Sequence, residues 1–180
     1  MTRGYKPLVP DTTPETHRPV ANEADRIHES VLYSAQGQFE QAKLWRLINL
    51  FLGVPAAILA AVSGGTALAD SDLGIWPGVL ALAAAALSAT LTTVNASRRM
   101  TQAQASANAY LQLQTTARQF ITIDLANTTI EDARENLRNL TNSRDELNQT
   151  ADPPGRVARW LAGRTIKNDG QTYAVDRGNQ

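Results

Sequence analysis

The stretch LINLFLGVPAAILAAVSGGTALA-DSD-LGIWPGVLALAAAALSATLTTVNAS, residues 47–97, decides how the rest of the chain is read. Neither run within it, residues 47–69 or 73–97, contains a charge, and only Asp70-Ser71-Asp72 separates them. A helix rises about 1.5 Å per residue, so about 20 apolar residues cross the ~30 Å of hydrocarbon in a bilayer. Each run is long enough, which predicts a transmembrane helical hairpin with a tight acidic turn. A buried core hairpin in a water-soluble fold is the competing reading. It would need a large surrounding domain, and the remainder of the chain is too polar to supply one.

The residues flanking the runs set an orientation. Lys43 and Arg46 precede the first run with Trp45 between them, Trp76-Pro77 opens the second, and Arg98 and Arg99 close it. Tryptophan suits the headgroup level and proline the first turn of a helix, so Lys43, Trp45, Arg46, Trp76 and Arg98 are the expected interface anchors. Positive charge lies at both outer ends and only negative charge in the turn. The positive-inside rule then places both termini in the cytoplasm.

Two patterns lie within the runs. Gly53, Ala57, Ala61 and Gly65 repeat every fourth residue and give one face on which another backbone can approach closely. That face serves either a second copy or the other helix of the same hairpin. In the second run Ser88, Thr92, Asn95 and Arg99 follow at intervals of four, three and four, which on an unbroken helix stacks them along one side. Polar groups are costly against lipid, so these four are the candidate pore-facing residues. The plainer reading is that the hydroxyls bond back to carbonyls one turn earlier.

Working outward, residues 1–20 are rich in Pro and Thr and read as a disordered tail, without the apolar core of a signal peptide. The protein is therefore expected to begin in the cytoplasm and keep its N-terminus. Asn22, with Asp25 three residues on, predicts the N-cap of an amphipathic helix over 21–46 whose inner face is Ile27, Val31, Ala35, Phe39 and Ala42. Neither Gly nor Pro occurs from Val79 to Asp152, so the second span is expected to continue as a cytoplasmic stalk through Ala103, Tyr110, Leu113, Ala117 and Phe120. Asn127-Thr128-Thr129 should break it, and Thr129 with Asp132 should cap a return helix carrying Ile130, Ala133, Leu137, Leu140 and Leu147. Stalk and return helix together occupy 98–150. Asp152-Pro153-Pro154 then introduces a short basic helix, 152–168, through Val157, Trp160 and Leu161, and residues 177–180 are a tail. The fold class is thus an all-α membrane protein, a two-transmembrane hairpin with a cytoplasmic helical bundle.

Composition removes several classes of function. The 180 residues carry 17 Lys and Arg against 17 Asp and Glu, so net charge points to no nucleic-acid partner. With no cysteine there is neither a disulfide framework nor a thiolate metal site. His17 and His28 lack neighbours at metal-ligand spacing and are expected to face solvent. Asp124, the one carboxylate that falls among apolar positions of the stalk, reads as an exposed helix-end residue. No phosphate-binding glycine loop or nucleophile motif occurs. No enzyme, cofactor or metal is expected.

The order of parts, with the stalk segment Ala107-Asn108-Ala109-Tyr110-Leu111, the segment Phe120-Ile121-Thr122-Ile123-Asp124-Leu125 and the Leu137–Leu147 helix followed by Pro153-Pro154, resembles the SLATT proteins over residues 22–176. These are bacterial two-transmembrane effectors of nucleotide-linked conflict systems. The resemblance implies a homo-oligomeric, pore-forming or membrane-permeabilising effector in antiviral defence, triggered by a nucleotide signal or by a sensor protein. The alternative is a membrane-anchored helical scaffold that conducts nothing. Both take the lipid bilayer as partner.

Overall fold

Val20, Ala24, Ile27, Val31 and Ala35 recur every three or four residues, and that period winds them onto one face of α1, Arg18–Leu68, a helix of 51 residues. The structure is a computed structural model that describes residues 7–68 and 74–167. The acidic turn 70–72 and the C-terminal tail 177–180 lie outside the described residues. After α1 come α2 (Trp76–Val94), α3 (Ala96–Gln119), a π turn (Phe120–Asp124), a 3-10 turn (Leu125–Asn127), α4 (Ile130–Thr150) and α5 (Arg156–Lys167). Every element among the described residues is helical, and two long apolar helices are among them. The chain divides into a bundle, Met1–Gln41 with Gln102–Gln180, and a hairpin unit, Ala42–Thr101.

The bundle buries the faces that the spacing marks out. Ala21, Ala24, Ile27, Val31 and Ala35 of α1 meet Tyr110, Leu113 and Ala117 of α3 and Ala133 and Leu140 of α4 in one core. Ile27, Leu125 and Val31 are its largest fully buried side chains, and truncating Ile27 or Leu125 to alanine removes about 2–5 kcal/mol. Phe120 and Ile121 are both buried where the helix widens into the π turn. There the Leu125 N–H reaches back five residues to the Phe120 carbonyl, and Leu125 is buried in its turn. Tyr110 donates to Asn148 Oδ1 at 2.8 Å and ties α3 to α4, and burial raises the pKa of its phenol. At the start of α4, Thr129 accepts from the Asp132 N–H, the cap that the sequence implied.

The N-terminal region departs from expectation. The helix starts at Arg18, not at Asn22, and the segment before it is held by backbone groups and not by an apolar period. Leu8 and Val9 pack on the core, the Leu8 N–H donates to Asp25 Oδ1 at 3.2 Å, and Thr13 is buried over a turn closed onto the Pro10 carbonyl. Asp25 therefore secures this strap instead of closing a capping box. His17 is not solvent-facing either: its Nε2 lies 3.0 Å from the Thr128 carbonyl. His28 is 5% exposed, with Gln114 Nε2 3.4 Å from its own Nε2. Burial lowers its pKa, Asp25 opposes that shift and Arg118 adds to it.

Further along α1, Phe39 is only half-buried while Gln36, Gln38 and Glu40 are buried. Two of the glutamines on this segment hold the chain that precedes α5. Gln38 Nε2 donates to the Asp152 carbonyl at 2.6 Å, and the Gly155 N–H donates to Gln41 Oε1 at 2.7 Å. Gly37 lets the segment close in, since a Cβ there would stand 3.2 Å from Pro154 Cγ.

Candidate functional site: the paired apolar helices

The hairpin unit packs two stripes together. On α1 the more buried positions are Leu52, Ala56, Leu59, Ser63 and Thr66; on α2 they are Pro77, Leu80, Ala84, Leu87, Leu91 and Val94. Both sets advance by alternating threes and fours, the spacing that keeps one seam facing a partner helix. The helices approach closely at Gly53, where an added Cβ would stand 3.5 Å from Leu91 Cδ1. A polar bond crosses the seam: Ser63 Oγ donates to the Pro77 carbonyl at 2.7 Å. At the other side of the tip, Gly74 takes the left-handed φ of +58° that turns the chain into α2, with Pro77 in its first turn.

The faces turned away from that seam are apolar. Phe51 and Leu82 are 68% and 74% exposed, and Leu50, Val54, Ile58, Val62 and Val79 are exposed beside them. In the most apolar window of each candidate span only 11% of residues are buried, with mean hydropathy 2.0 in α1 and 1.7 in the second. A core helix of a water-soluble domain would be mostly buried. Exposed apolar surface on this scale is not left to water.

Of the small-residue face, only Gly53 is used within the hairpin; Ala57, Ala61 and Gly65 point outward. The other candidate face is altered by a feature that sequence reading missed. Asn95 has φ 52° and ψ 43°, the left-handed conformation, and ends α2. Its N–H reaches the Leu91 carbonyl, its own carbonyl accepts from Arg99, and α3 starts on the far side. Ser88 and Thr92 therefore lie on α2, Asn95 at the break and Arg99 on α3, so the regular four-three-four stacking expected of an unbroken helix does not hold. Thr92 Oγ1 donates to the Ser88 carbonyl at 3.0 Å, and Thr90 and Thr93 bond back one turn in the same way. These hydroxyls are satisfied locally. Arg99 instead lies over Trp45, 5.2 Å from its guanidinium carbon to the ring centroid. Lys43, Arg46, Arg98 and Trp76 are exposed.

The bundle contains a groove of about 720 Å³ between α3 and α4. Leu113, Phe120 and Leu140 floor it, and Asp124 and Glu146 stand among its polar lining, which holds no Lys, Arg or His. Such a groove offers no cation to pair with a phosphate. Comparison of the chain with known protein families, curated proteins and solved structures gives no match.

Proposed function

We propose that the protein is a membrane effector whose two apolar helices span the bacterial inner membrane, with both termini in the cytoplasm, and whose copies assemble to form a pore or permeabilise the bilayer in antiviral defence. The carrying observation is the outward surface of the hairpin: an apolar belt on both helices with Ala57, Ala61 and Gly65 on it, unused by the hairpin's own packing. Two helices are too few to wall an aqueous path, so conduction requires assembly. The resemblance to SLATT proteins supports the defensive role. The uncharged-to-acidic lining of the α3–α4 groove favours a sensor protein over a nucleotide bound in that groove as the trigger.

A membrane-anchored scaffold is the second reading, favoured by one observation. Thr90, Thr92 and Thr93 satisfy their hydroxyls within α2 and need no water beside them.

Inducible expression in cells carrying a membrane-potential dye, with and without the protein encoded beside it, separates the two. Depolarisation that Ala61→Leu reduces while the protein still inserts is the expected result. Growth at full potential under both conditions, together with monomer only on cross-linking in native membranes, would leave the scaffold. For the polar face, Thr92→Val with Asn95→Gly removes both polar side chains and keeps the left-handed backbone at Asn95. Depolarisation equal to wild type in that variant excludes this face as the conducting one.

A further inference from the structure

α5 has two unlike faces. Ala158 and Ala162 are buried and Leu161 is half-buried, while Arg156, Val157, Arg159, Trp160 and Arg164 are exposed. At 100° per residue, Arg156, Trp160, Arg164 and Val157 fall within one arc of about 100°, and Arg159 lies about 60° beyond it on the Arg156 side. Trp160 is 64% exposed and Val157 59%, and the Arg164 guanidinium carbon lies 5.8 Å from the centroid of the Trp160 ring. No acidic residue occurs between Arg156 and Lys167. A tryptophan and a valine held outward among arginines of a single charge sign match the boundary between anionic headgroups and acyl chains.

Its anchorage gives the second argument. The segment leading into α5 is bonded to Gln38 and Gln41 of α1 and packed on Gly37. Gln41 is six residues along the same helix from Leu47, where the first uncharged run starts, and Lys43, Trp45 and Arg46 lie between them. The start of α5 is thus fastened to the last bundle residues of α1, which in the sequence come directly before Lys43, Trp45 and Arg46.

We propose that α5 is a second membrane contact, lying on the surface of the bilayer that the hairpin spans, with Arg156, Arg159 and Arg164 on anionic phospholipid headgroups and Val157 and Trp160 at the acyl boundary. This rests on the membrane reading of the hairpin, and the experiment tests the two separately. The chain has no cysteine, so Val157→Cys and, in a second protein, Ile58→Cys each give one labelling site for an environment-sensitive fluorophore. Both full-length proteins are reconstituted in phosphatidylcholine vesicles with and without phosphatidylglycerol; lipid spin-labelled near the headgroup serves as quencher for position 157, and lipid spin-labelled near the end of the acyl chain for position 58, which lies at the middle of the 47–69 run. The position-58 label should be quenched in both compositions. The position-157 label should shift to the blue and be quenched about twofold only where phosphatidylglycerol is present, and high salt or Arg156→Gln/Arg159→Gln/Arg164→Gln should reverse this. A quenched position-58 label beside a position-157 label that stays in water in both compositions overturns the proposal and leaves the hairpin standing. A blue shift at position 157 that follows protein-to-lipid ratio and ignores the quencher assigns α5 to a second copy, which also overturns it. No quenching at position 58 overturns both readings.

Discussion

A histidine buried beside an arginine is a pH liability that the sequence does not announce. Burial of His28 disfavours its charged form, Arg118 does the same, and Asp25 compensates only in part, so the folded protein releases this proton below the ordinary histidine value. An unfolded chain takes up that proton near pH 6.5, at the usual histidine pKa. The unfolded state thus binds more protons as pH falls through that value, and stability that is intact above it is lost below. Thermal unfolding followed by circular dichroism in detergent should show a melting temperature that declines on acidification below about 6.5. His28→Gln should flatten that decline; an unchanged slope would assign it to another group. At the same scale, Thr129→Ala removes the acceptor that caps α4. It should cost about 1 kcal/mol, read as a lower denaturant midpoint with unchanged slope. The cap was legible because Thr129 and Asp132 stand at the right interval before an apolar period. The burial of His28, Gln36, Gln38 and Glu40 was not, since their polarity gives no hint of it and one of their partners, the Asp152 carbonyl, comes from far along the chain.

Elements are where the reading of sequence succeeded and then stopped short. Both apolar helices and the inner faces of α1, α3 and α4 follow from spacing alone. The interruption at Asn95 does not, because the absence of Gly and Pro from Val79 to Asp152 argues for continuity. The available signal was composite: Thr92-Thr93-Val94 are β-branched and weak helix formers, and Asn is the non-glycine residue most at ease in the left-handed region. Asn95→Gly should retain the interruption and leave stability within a few tenths of a kcal/mol, whereas Asn95→Leu forces a side chain into a conformation that costs about 1 kcal/mol or makes α2 and α3 one helix. Distances between spin labels on α2 and α3 should therefore lengthen in the leucine variant alone. Equal distances in all three proteins would mean that the conformation at Asn95 does not depend on its side chain. The candidate polar face was legible as a set of residue types and mistaken in its geometry for the same reason. The N-terminal strap escaped notice because two apolar residues, Leu8 and Val9, carry no period, and a backbone N–H on Asp25 has no sequence signature.

For the whole molecule, the distribution of charge carries an orientation that labelling can check. Lys43, Arg46, Arg98 and Arg99 flank the apolar helices while the connection between them holds only Asp70 and Asp72. Ser71→Cys should react with an impermeant thiol reagent added to intact cells, and Ser143→Cys should react only after lysis. Labelling at position 143 alone in intact cells would invert the topology. The two routes from the bundle into the hairpin also differ as mechanical parts. α1 passes from Arg18 to Leu68 as one helix with Pro55 inside it, while the other route is interrupted at Asn95. The backbone dihedrals of Asn95 can therefore change without any turn of a helix coming apart, a freedom that no residue inside α1 has.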